Sequence, residues 1–280
     1  MPELPEVETV RRGLAAAIEG RKVVSAVLRR PGLRLPFPAD LAERFLGRRI
    51  EKISRRAKFL LVHLDSQDVL IAHLGMTGGF KIFDGPPPPP EKHDHVVLGL
   101  SGSVTVYYHD PRRFGLMDMA YGGDVKSHPL LSRLGPEPLG PEFDAEYLNK
   151  CLGRRAGPIK TAIMDQAVVA GMGNIYASEC LFRAGISPRR KAYTVPGVRA
   201  RRLVPAIREV LEEAIAAGGS TISSYRNTDG GLGYFQHSFA VYGRKGEMCP
   251  GCDCDLAKTG GVRHIQQAGR STFYCAKRQR

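Results

Sequence analysis

The second and third residues, Pro2 and Glu3, are the strongest candidates for chemistry in this sequence. An initiator methionine is removed when the next residue is small, and proline qualifies, so we expect Pro2 to carry a free secondary amine. The pKa of an α-amine is roughly 7.7–8.0, and strongly basic surroundings lower it. The neutral amine can attack carbon at the aldehyde oxidation level and form an iminium, and Glu3 can protonate or activate a leaving oxygen. The alternative is that Pro-Glu only starts a helix.

A second candidate site is a cysteine cluster near the end of the sequence. Of the six cysteines, four fall in the last 32 residues, and these are Cys249, Cys252, Cys254 and Cys275. A disulfide scaffold would spread its cysteines and would suit a small secreted chain. A terminal cluster predicts a metal site instead, and structural zinc prefers four ligands in tetrahedral geometry.

The elements that position Pro2 and Glu3 begin with an amphipathic helix, predicted over residues 5–19. Apolar residues recur there at helical spacing, Pro5 suits a first turn, and Gly20 suits the end of the helix. Pro2 and Glu3 therefore lie at the N-terminus of a helix.

Residues 21–120 have a sequence pattern typical of a β-sandwich or barrel, with short apolar runs separated by Gly, Pro, Asp and Ser. Pro86–Pro90 is expected to be a stiff polyproline loop. The predicted strands are Lys22–Leu28, Phe59–Leu64, Val69–His73, Val96–Leu100 and Val104–Tyr108.

After about residue 130 the pattern becomes helical. A longer helix includes Leu203–Ile215, with Pro205 in its first turns, where proline is best tolerated. Residues 218–237 are rich in glycine and predict a loop. The shorter predicted helices are Asp144–Leu152, Ile159–Gln166 and Asn174–Arg183, the last with Asn174 as its N-cap.

The charge balance points to a polyanionic partner. The 280 residues carry 41 Lys and Arg against 28 Asp and Glu, a net charge of +13, and the isoelectric point is about 9.7. Nucleic acid is the leading class of partner. A solubilising excess of charge is the alternative, and no basic amphipathic helix with a large apolar face favours a membrane surface. Without a membrane span or a signal peptide, the chain is expected in the bacterial cytoplasm, associated with the nucleoid.

Several motifs occur in an order that closely resembles the bacterial formamidopyrimidine-DNA glycosylases, also called 8-oxoguanine DNA glycosylases. The resemblance runs from residue 2 to the C-terminus, and the start, PELPEVET, is its most specific part. The other motifs are RRAKFLL with Lys58, HLGMTG at 73–78, EKHDH at 91–95, DPRRFG at 110–115, GNIYASE at 173–179, YGRKGE at 242–247 and GRSTFYC at 269–275.

The resemblance implies an α+β multidomain fold and a monomeric enzyme that binds damaged double-stranded DNA. The expected domains are a β-sandwich catalytic domain with a flanking helix at 2–130, a helix–two-turn–helix domain at 131–237, and a zinc-finger-like β-hairpin at 238–280. The implied activity is excision of oxidised purines followed by cleavage of the abasic strand through β,δ-elimination.

The resemblance also implies roles for individual residues. Pro2 matches the nucleophile that forms a Schiff base, and Glu3 matches the catalytic acid. Lys58 matches the proton donor associated with β-elimination, and Arg270 matches the residue tied to phosphate binding and δ-elimination. Glu6 matches a carboxylate that supports the N-terminal site.

Further candidates follow from the need to flip the lesion out of the duplex and to hold the backbone. Met76, Arg112 and Phe114 match the residues that enter the duplex in this family; core packing is the alternative for Met76. Apolar wedges replace stacking, and a guanidinium replaces lost base-edge hydrogen bonds. An ordinary solvated surface is the alternative for Arg155. The candidate phosphate contacts are His73, His93, Arg112, Arg155, Lys160, Asn174 and Tyr242.

The cysteine segment departs from the pattern of the family, which is two C-x2-C pairs about sixteen residues apart. Cys249 and Cys252 fit the first pair, and Cys275 fits the third ligand. Arg278 stands where the fourth cysteine belongs, and the spacing from Cys252 to Cys275 is longer than usual. Arginine cannot ligate zinc.

Two residues are candidates for the fourth zinc ligand. Cys254 is slightly favoured because it lies beside the first pair, although a C-x-C pair crowds one tetrahedral edge. His264 is the other: with a hairpin turn at Ala268–Gly269, it lies on the face of Cys275, ~6.6 Å along the strand from the position paired with it. A hairpin without zinc is the third possibility.

Two other functions remain open at this point. One is a DNA-binding protein that has lost turnover, against which Pro2, Glu3 and Lys58 argue. The other is an enzyme of the endonuclease VIII type that prefers oxidised pyrimidines, against which the PELPEVET start argues.

Overall fold

A computed structural model describes residues 1–220 and 233–280, so the centre of the predicted glycine-rich loop lies outside the described residues. The chain divides into two units. The first consists of Met1–Ser132 with Ala217–Tyr234, and the second of Arg133–Ala216 with Phe235–Arg280. The predicted domain boundaries at 130/131 and 237/238 remain predictions.

The first unit is built on two antiparallel four-stranded sheets, which confirms the β-sandwich. One sheet has the strand order β1-β6-β7-β5 and the other β2-β3-β4-β8. The strands are β1 (Val23–Leu28), β2 (Ile50–Arg56), β3 (Phe59–Leu64), β4 (Val69–His73), β5 (Gly79–Asp84), β6 (Asp94–Leu100), β7 (Val104–His109) and β8 (Leu116–Ala120).

Helix α1 (Leu4–Ile18) supplies one side of the core of this unit and begins one residue earlier than predicted. Val7, Val10, Leu14 and Ile18 are at most 3% exposed and pack against buried residues of both sheets. Burial of a side chain of this size stabilises the fold by ~1.5–3 kcal/mol. The anchored helix therefore fixes the position of the segment that precedes it. A short helix, α2 (Leu41–Phe45), closes the core.

The second unit is mostly helical and ends in a β-hairpin. The hairpin pairs Gln267 with Arg270 and Val262 with Cys275, so its turn is Ala268–Gly269, as expected. The elements are α3 (Ala145–Leu152), α4 (Ile159–Met164), α5 (Asn174–Arg183), α6 (Val198–Ala216), α7 (Leu256–Thr259), β9 (Val262–Gln267) and β10 (Arg270–Cys275).

Some local predictions were wrong. Pro205 is the eighth residue of α6 rather than part of its first turn, and because it has no N–H it cannot donate the helical hydrogen bond at that point. Helix α4 ends at Met164 rather than Gln166. The N-cap of α5 is Gly173, not Asn174. Among the described residues, no helix combines the length and apolar content that a membrane span requires.

Candidate active site and nucleic-acid interface

The residues at the start of the chain are buried and tied together by carboxylate hydrogen bonds. Pro2 is buried, and Glu3 and Glu6 are 4% and 2% exposed. The N–H of Glu3 donates to Oε2 of Glu6 at 2.9 Å. The other oxygen of Glu6 accepts from the N–H and the hydroxyl of Ser220, at 2.7 and 2.9 Å. Glu6 therefore connects the N-terminal segment to Ser220.

The α-amine of Met1, which precedes Pro2, lies in an electrostatic environment that favours its neutral form. Burial lowers its pKa first, and the charges of Lys58 and Arg112 lower it further, whereas Glu3 and Glu6 raise it. The net result is a pKa below the ordinary value. Because only the unprotonated amine has a lone pair to donate, this environment increases its nucleophilicity near neutral pH.

Lys58 is held inside the first unit by a tight turn. Arg56 pairs with Phe59 across the β2–β3 hairpin, so the two-residue turn is Ala57–Lys58. Ala57 has φ of 52°, which is uncommon for a residue other than glycine and is often found at functional sites. The turn leaves Lys58 only 6% exposed, although lysine is normally a surface residue.

His73 ends strand β4 and is neutral. Burial, Lys58, Arg34 and the N-terminal amine lower its pKa to about 4. The N–H of Gly75 donates to Nδ1 of His73 at 3.0 Å, so the neutral ring carries its proton on Nε2. His73 can therefore donate a hydrogen bond to an anion without adding a charge.

Two turns that carry candidate DNA contacts are held together by the carboxylate of Asp110. The hydroxyl of Thr77 donates to Oδ1 of Asp110 at 2.5 Å, and the N–H of Gly115 donates to Oδ2 at 2.8 Å. The Thr77 hydroxyl also accepts from the N–H of Arg112 at 3.2 Å. A Cβ at Gly75 would lie 2.3 Å from the Phe114 carbonyl carbon, so only glycine permits this approach.

The side chains that project from these two turns are the predicted intercalating residues. Met76 and Phe114 are 38% and 45% exposed, which is unusual for large apolar side chains. The guanidinium of Arg112 lies over the Phe114 ring at 4.6 Å from its centroid. The structure thus presents apolar and cationic side chains together on rigid turns of the first unit.

His93 belongs to a histidine cluster beside these turns. Its ring is 6.2 Å from the ring of His95 and 6.0 Å from that of His109. The Nε2–H of His95 donates to the carbonyl of Asp110 at 2.9 Å. His109 Nδ1 lies 2.7 Å from a carboxylate oxygen of Asp94, which is 1% exposed. His93 is the half-buried member at the edge of this network.

In the second unit, Asn174 is held by a buried lysine instead of capping α5. Lys160 is 1% exposed, and its ammonium donates to Oδ1 of Asn174 at 2.6 Å. The same ammonium donates to the carbonyl of Ser271 and the hydroxyl of Thr272, both at 2.8 Å. Lys160 therefore joins α4, α5 and strand β10. It orients Asn174 and the hairpin rather than projecting into solvent.

Tyr242 is fixed by a buried carboxylate. Glu179 accepts from the backbone N–H groups of Ala240, Val241 and Tyr242 at 2.8–3.0 Å. Burial nevertheless raises the pKa of Glu179 above its ordinary value. The hydroxyl of Tyr242 lies 3.3 Å from Nδ2 of Asn174, so these two candidate contacts form one polar surface.

The remaining two candidates of this unit differ in their surroundings. Arg155 is about 40% exposed and forms an ion pair with Asp165 at 2.8 Å. Arg270 is exposed at the first position of β10, directly after the hairpin turn. Arg270 is therefore well placed to contact a phosphate.

The four thiols of the C-terminal segment meet in one cluster. Cys249, Cys254 and Cys275 are buried, Cys252 is half-buried, and all four sulfurs lie within 4.8 Å of one another. Around tetrahedral zinc, sulfurs lie about 3.8 Å apart. The Cys249–Cys254 and Cys252–Cys275 sulfur distances are 3.6 and 3.9 Å, which fit, whereas the Cys252–Cys254 distance is 2.8 Å. The donor set suits zinc, with strain at the C-x-C pair.

The other candidate for this position, His264, lies outside the cluster. It is exposed and stacks on Phe273 with ring centroids 4.8 Å apart. The guanidinium of Arg278 lies over the Phe182 ring, and the backbone N–H of Arg278 donates to the sulfur of Cys275 at 3.5 Å. Cys254 is thus the residue that the structure brings to the other three cysteines.

Comparisons with known proteins identify the family. Residues 1–117 match the model of the formamidopyrimidine-DNA glycosylase N-terminal domain, and residues 134–226 match that of the H2TH domain of the same family. The chain is 56% identical to the formamidopyrimidine-DNA glycosylase of Rhodospirillum centenum, with all of both chains covered. The chain belongs to the formamidopyrimidine-DNA glycosylase family of DNA-repair enzymes.

Solved structures of this family share the fold over the whole chain. MutM (Fpg) of Thermus thermophilus is 45% identical, with a TM-score of 0.85 and coverage of 99% of this chain and 98% of that chain. A variant of the Lactococcus lactis Fpg bound to DNA containing Fapy-dG is 34% identical, with a TM-score of 0.89 and full coverage of both chains. A MutM complex with DNA containing carbocyclic 8-oxo-G is also 34% identical, with a TM-score of 0.88 and full coverage of both.

Sequence reasoning missed three residues that fix candidate residues in place within their own units. Ser220 binds Glu6, Asp110 joins two turns, and Glu179 fixes the loop that carries Tyr242. Asp110 and Glu179 both lie in motifs that the sequence analysis quoted, DPRRFG and GNIYASE. An acidic residue inside a motif of a strongly basic protein is the signal that could have found them.

Proposed function

We propose that this chain is a bifunctional DNA glycosylase and abasic-site lyase that excises oxidised purines from duplex DNA. The substrates are 8-oxoguanine and formamidopyrimidines, and the strand is then cleaved by β,δ-elimination. Pro2 is the nucleophile, after removal of Met1. The names and bound lesions of the related proteins support this assignment.

The observation that carries the proposal is the environment of the N-terminal amine. The partly buried amine of Met1 and the buried Pro2 lie beside two buried carboxylates and a buried lysine, in a strongly basic protein, and this arrangement costs free energy that a purely structural start of a helix would avoid. The pKa values of this amine and of the neighbouring His73 are both lowered, and perturbed pKa values at one place are typical of catalytic sites.

The first chemical step joins the protein to the sugar. The nitrogen of Pro2 attacks C1′ of the flipped nucleotide, the bond from C1′ to the base breaks, and the base leaves with the electron pair and takes up the proton that the attacking amine loses. Glu3 supplies a proton to the sugar oxygen and opens the ring. The product is an iminium between Pro2 and C1′, which acts as an electron sink.

Strand cleavage follows from that electron sink. Loss of a proton from C2′ allows the bond to the 3′ phosphate to break, and the second elimination releases the 5′ phosphate. Lys58 transfers protons in the β-elimination, and Arg270 binds phosphate and assists the δ-elimination. Glu6 holds Glu3 and the start of α1 in place through its hydrogen bonds.

The base-flipping step uses the exposed side chains on the turns of the first unit. Met76, Arg112 and Phe114 enter the duplex and replace the extruded base, which offsets an unstacking cost of a few kcal/mol. The phosphate contacts are His73, His93, Arg155, Asn174 and Tyr242. Lys160 supports binding of the DNA backbone indirectly, by positioning Asn174 and the hairpin, because its ammonium already donates hydrogen bonds to three acceptors of the protein.

The thiol cluster is proposed to hold one structural zinc per chain through Cys249, Cys252, Cys254 and Cys275. Zinc would cross-link the segment that precedes β9 to the end of β10. Its role is to support the hairpin that carries Arg270, not to take part in catalysis.

Borohydride trapping tests the proposed function. The protein is incubated with a duplex containing 8-oxoguanine opposite cytosine, and separately with a thymine-glycol duplex, in the presence of borohydride, which reduces the iminium to a stable amine. We expect efficient crosslinking to the 8-oxoguanine duplex, with the adduct on the N-terminal peptide. Preferential trapping on thymine glycol would favour the endonuclease VIII type, and binding without trapping would indicate a DNA-binding protein without turnover.

Lys58 and Arg270 should have separable effects. Arg270→Ala should weaken binding to lesion and plain DNA alike and lower the salt slope of binding by about 1, because a phosphate contact is lost. Lys58→Ala should mainly reduce excision of 8-oxoguanine, with plain DNA binding close to that of the parent protein. Filter binding over a salt series and single-turnover excision measure the two effects. Identical profiles for the two variants would contradict the assignment.

A further inference from the structure

The second unit carries a cationic segment that the proposed catalytic cycle does not use. Between Glu179 and Glu209 the sequence contains eight arginine or lysine residues and no aspartate or glutamate. Six of these cations lie close together in the chain, and of the six, two are half-buried and four are exposed. We call these six residues the basic surface: Arg189, Arg190, Lys191, Arg199, Arg201 and Arg202.

The basic surface is contiguous with two candidate phosphate contacts. Lys191 forms an antiparallel bridge with Pro158, and the N–H of Tyr193 donates to the carbonyl of Arg155 at 3.1 Å. On the other side, Nε2 of Gln267 donates to the carbonyl of Pro188 at 3.1 Å, which joins this segment to the hairpin that carries Arg270. The basic surface therefore extends from elements that already present cations.

Among the described residues, acidic side chains do not compensate the charges of the basic surface, although Arg190 donates to a main-chain oxygen of Arg280 at 3.3 Å and Arg199 donates to the carbonyl of Thr194 at 3.4 Å. In residues 1–220 and 233–280, none of the six side chains pairs with a side-chain carboxylate. Elsewhere in the unit such pairs form, for example between Arg183 and Glu213 at 2.6 Å. Burial and then the charge of Arg199 lower the pKa of Arg190, so two members of the surface repel each other. A polyanion would relieve this repulsion.

The chemistry of the surface favours a phosphate backbone over a membrane. Most apolar residues of α6, including Leu203, Val204 and Ile207, are buried inside the unit. The exposed Val198 at its first position is too small an apolar surface to insert into a bilayer. Arginine hydrogen-bonds phosphate oxygens in a bidentate manner. Tyr193 is 53% exposed beside Lys191 and adds a hydroxyl donor.

We infer that the basic surface binds the sugar–phosphate backbone of duplex DNA outside the lesion and extends the footprint of this glycosylase. The inference rests on the proposed function for the identity of the partner. These contacts do not depend on sequence, so they contribute to binding of undamaged DNA and to its salt dependence, and not to the excision step.

The test compares two triple variants with the same change in net charge. One is Arg189→Gln, Arg201→Gln and Arg202→Gln, whose side chains are exposed. The control, Arg48→Gln, Lys52→Gln and Lys126→Gln, removes three exposed cations of the first unit. Binding to an undamaged duplex several helical turns long is measured over a salt series, together with single-turnover excision at saturating protein.

We expect the variant of the basic surface to lower the magnitude of the salt slope by about two to three, because each lost phosphate contact contributes roughly 0.9. The control should change it by less than about one, and both variants should excise at the parental rate once bound. Equal salt slopes for the two variants would overturn the inference. It would also be overturned if the parent protein binds anionic vesicles, the variant of the basic surface loses that binding, and its salt slope for DNA is unchanged. If the parent protein excises nothing but the slopes still differ, the proposed function fails and the DNA-binding surface stands.

Discussion

Replacing Pro2 with glycine is expected to lower both the single-turnover excision rate and the yield of borohydride adduct by about 100-fold. Glycine keeps a free α-amine, because its small size also permits removal of Met1, but that amine is primary. The secondary amine of Pro2 forms an iminium that carries a permanent positive charge, whereas an imine from glycine must first gain a proton to become an electron sink. The flexible glycine also loses the fixed φ that orients the nitrogen.

Protein that retains Met1 supplies the matching control. There the nitrogen of Pro2 is an amide and cannot attack, so we expect no adduct through Pro2. Affinity for an abasic-site analogue should change little in either case, since the phosphate contacts remain. Wild-type rates of trapping in the glycine variant or in the Met1-retaining protein would show that another group is the nucleophile.

The pH dependence of the same reaction provides a second readout. Excision requires the neutral amine of Pro2, so its rate should rise as the pH increases through the pKa of that amine. We expect this pKa to lie below the ordinary value, because burial and the Lys58 charge lower the pKa of the adjacent Met1 amine. In Lys58→Met the cation is absent and the pKa of the amine rises. The limb of the pH–rate profile should therefore move to higher pH, in addition to any loss of rate.

The sequence predicted most elements with clear apolar patterns, although β8, LMDMA, was missed despite one, and it missed strands whose pattern is weak. Strands β3 and β4 were predicted with their exact ends. Strand β2, IEKISRR, was missed because its exposed face is charged, and β5 was missed because it starts at a glycine and is half-buried along most of its length. Both are strands because their neighbours in the sheet complete their hydrogen bonds, which is information that the local sequence lacks.

The candidate site shows the same limit at Lys160 and Asn174. Both were expected to face phosphate, because a lysine and a residue at the start of a helix are normally exposed donors. In the structure, the ammonium of Lys160 donates a hydrogen bond to the side chain of Asn174. It also donates to the hydroxyl of Thr272, which is more than 100 residues away in the sequence. Partners of this kind depend on tertiary packing, whereas the prediction for Pro2 and Glu3 depends on their position at the start of the sequence.

The choice of the fourth zinc ligand also required knowledge of the tertiary structure. Cys254 and His264 were both open from the sequence because the choice depends on where each side chain points relative to Cys275. The hairpin register places His264 opposite Phe273, and the two rings stack. That contact keeps the imidazole with the aromatic residues and leaves the position among the thiols to Cys254.

Substitution of Cys254 by serine is expected to remove zinc from the purified protein. The parent protein, prepared without chelator, should contain about one zinc per chain, and the variant close to none. The structural reason is that three thiolates and a weak hydroxyl ligand do not complete a tetrahedral site. Because structural zinc contributes ~10–16 kcal/mol to the folding of small zinc modules, loss of this ligand should disorder the hairpin.

Loss of zinc should affect the hairpin locally, and DNA binding should be the first property to weaken. The hairpin carries Arg270, whereas the core of the first unit lies between its own two sheets and α1. DNA affinity should therefore fall at least roughly tenfold while the main thermal transition of the first unit changes little. Cys151→Ser removes a thiol outside the cluster and should leave zinc content and affinity unchanged.

The short distance between the sulfurs of Cys252 and Cys254 leads to one more expectation for the same site. At 2.8 Å, this edge is well below the tetrahedral value of about 3.8 Å, so the bound metal must strain the C-x-C segment. A chelator should therefore remove zinc from this protein faster than from a relative with two C-x2-C pairs. A parent protein with zinc content near zero and intact DNA binding would instead show that the apolar contacts of Val262 and Phe273 hold the hairpin without metal, and Cys254→Ser would then have no effect.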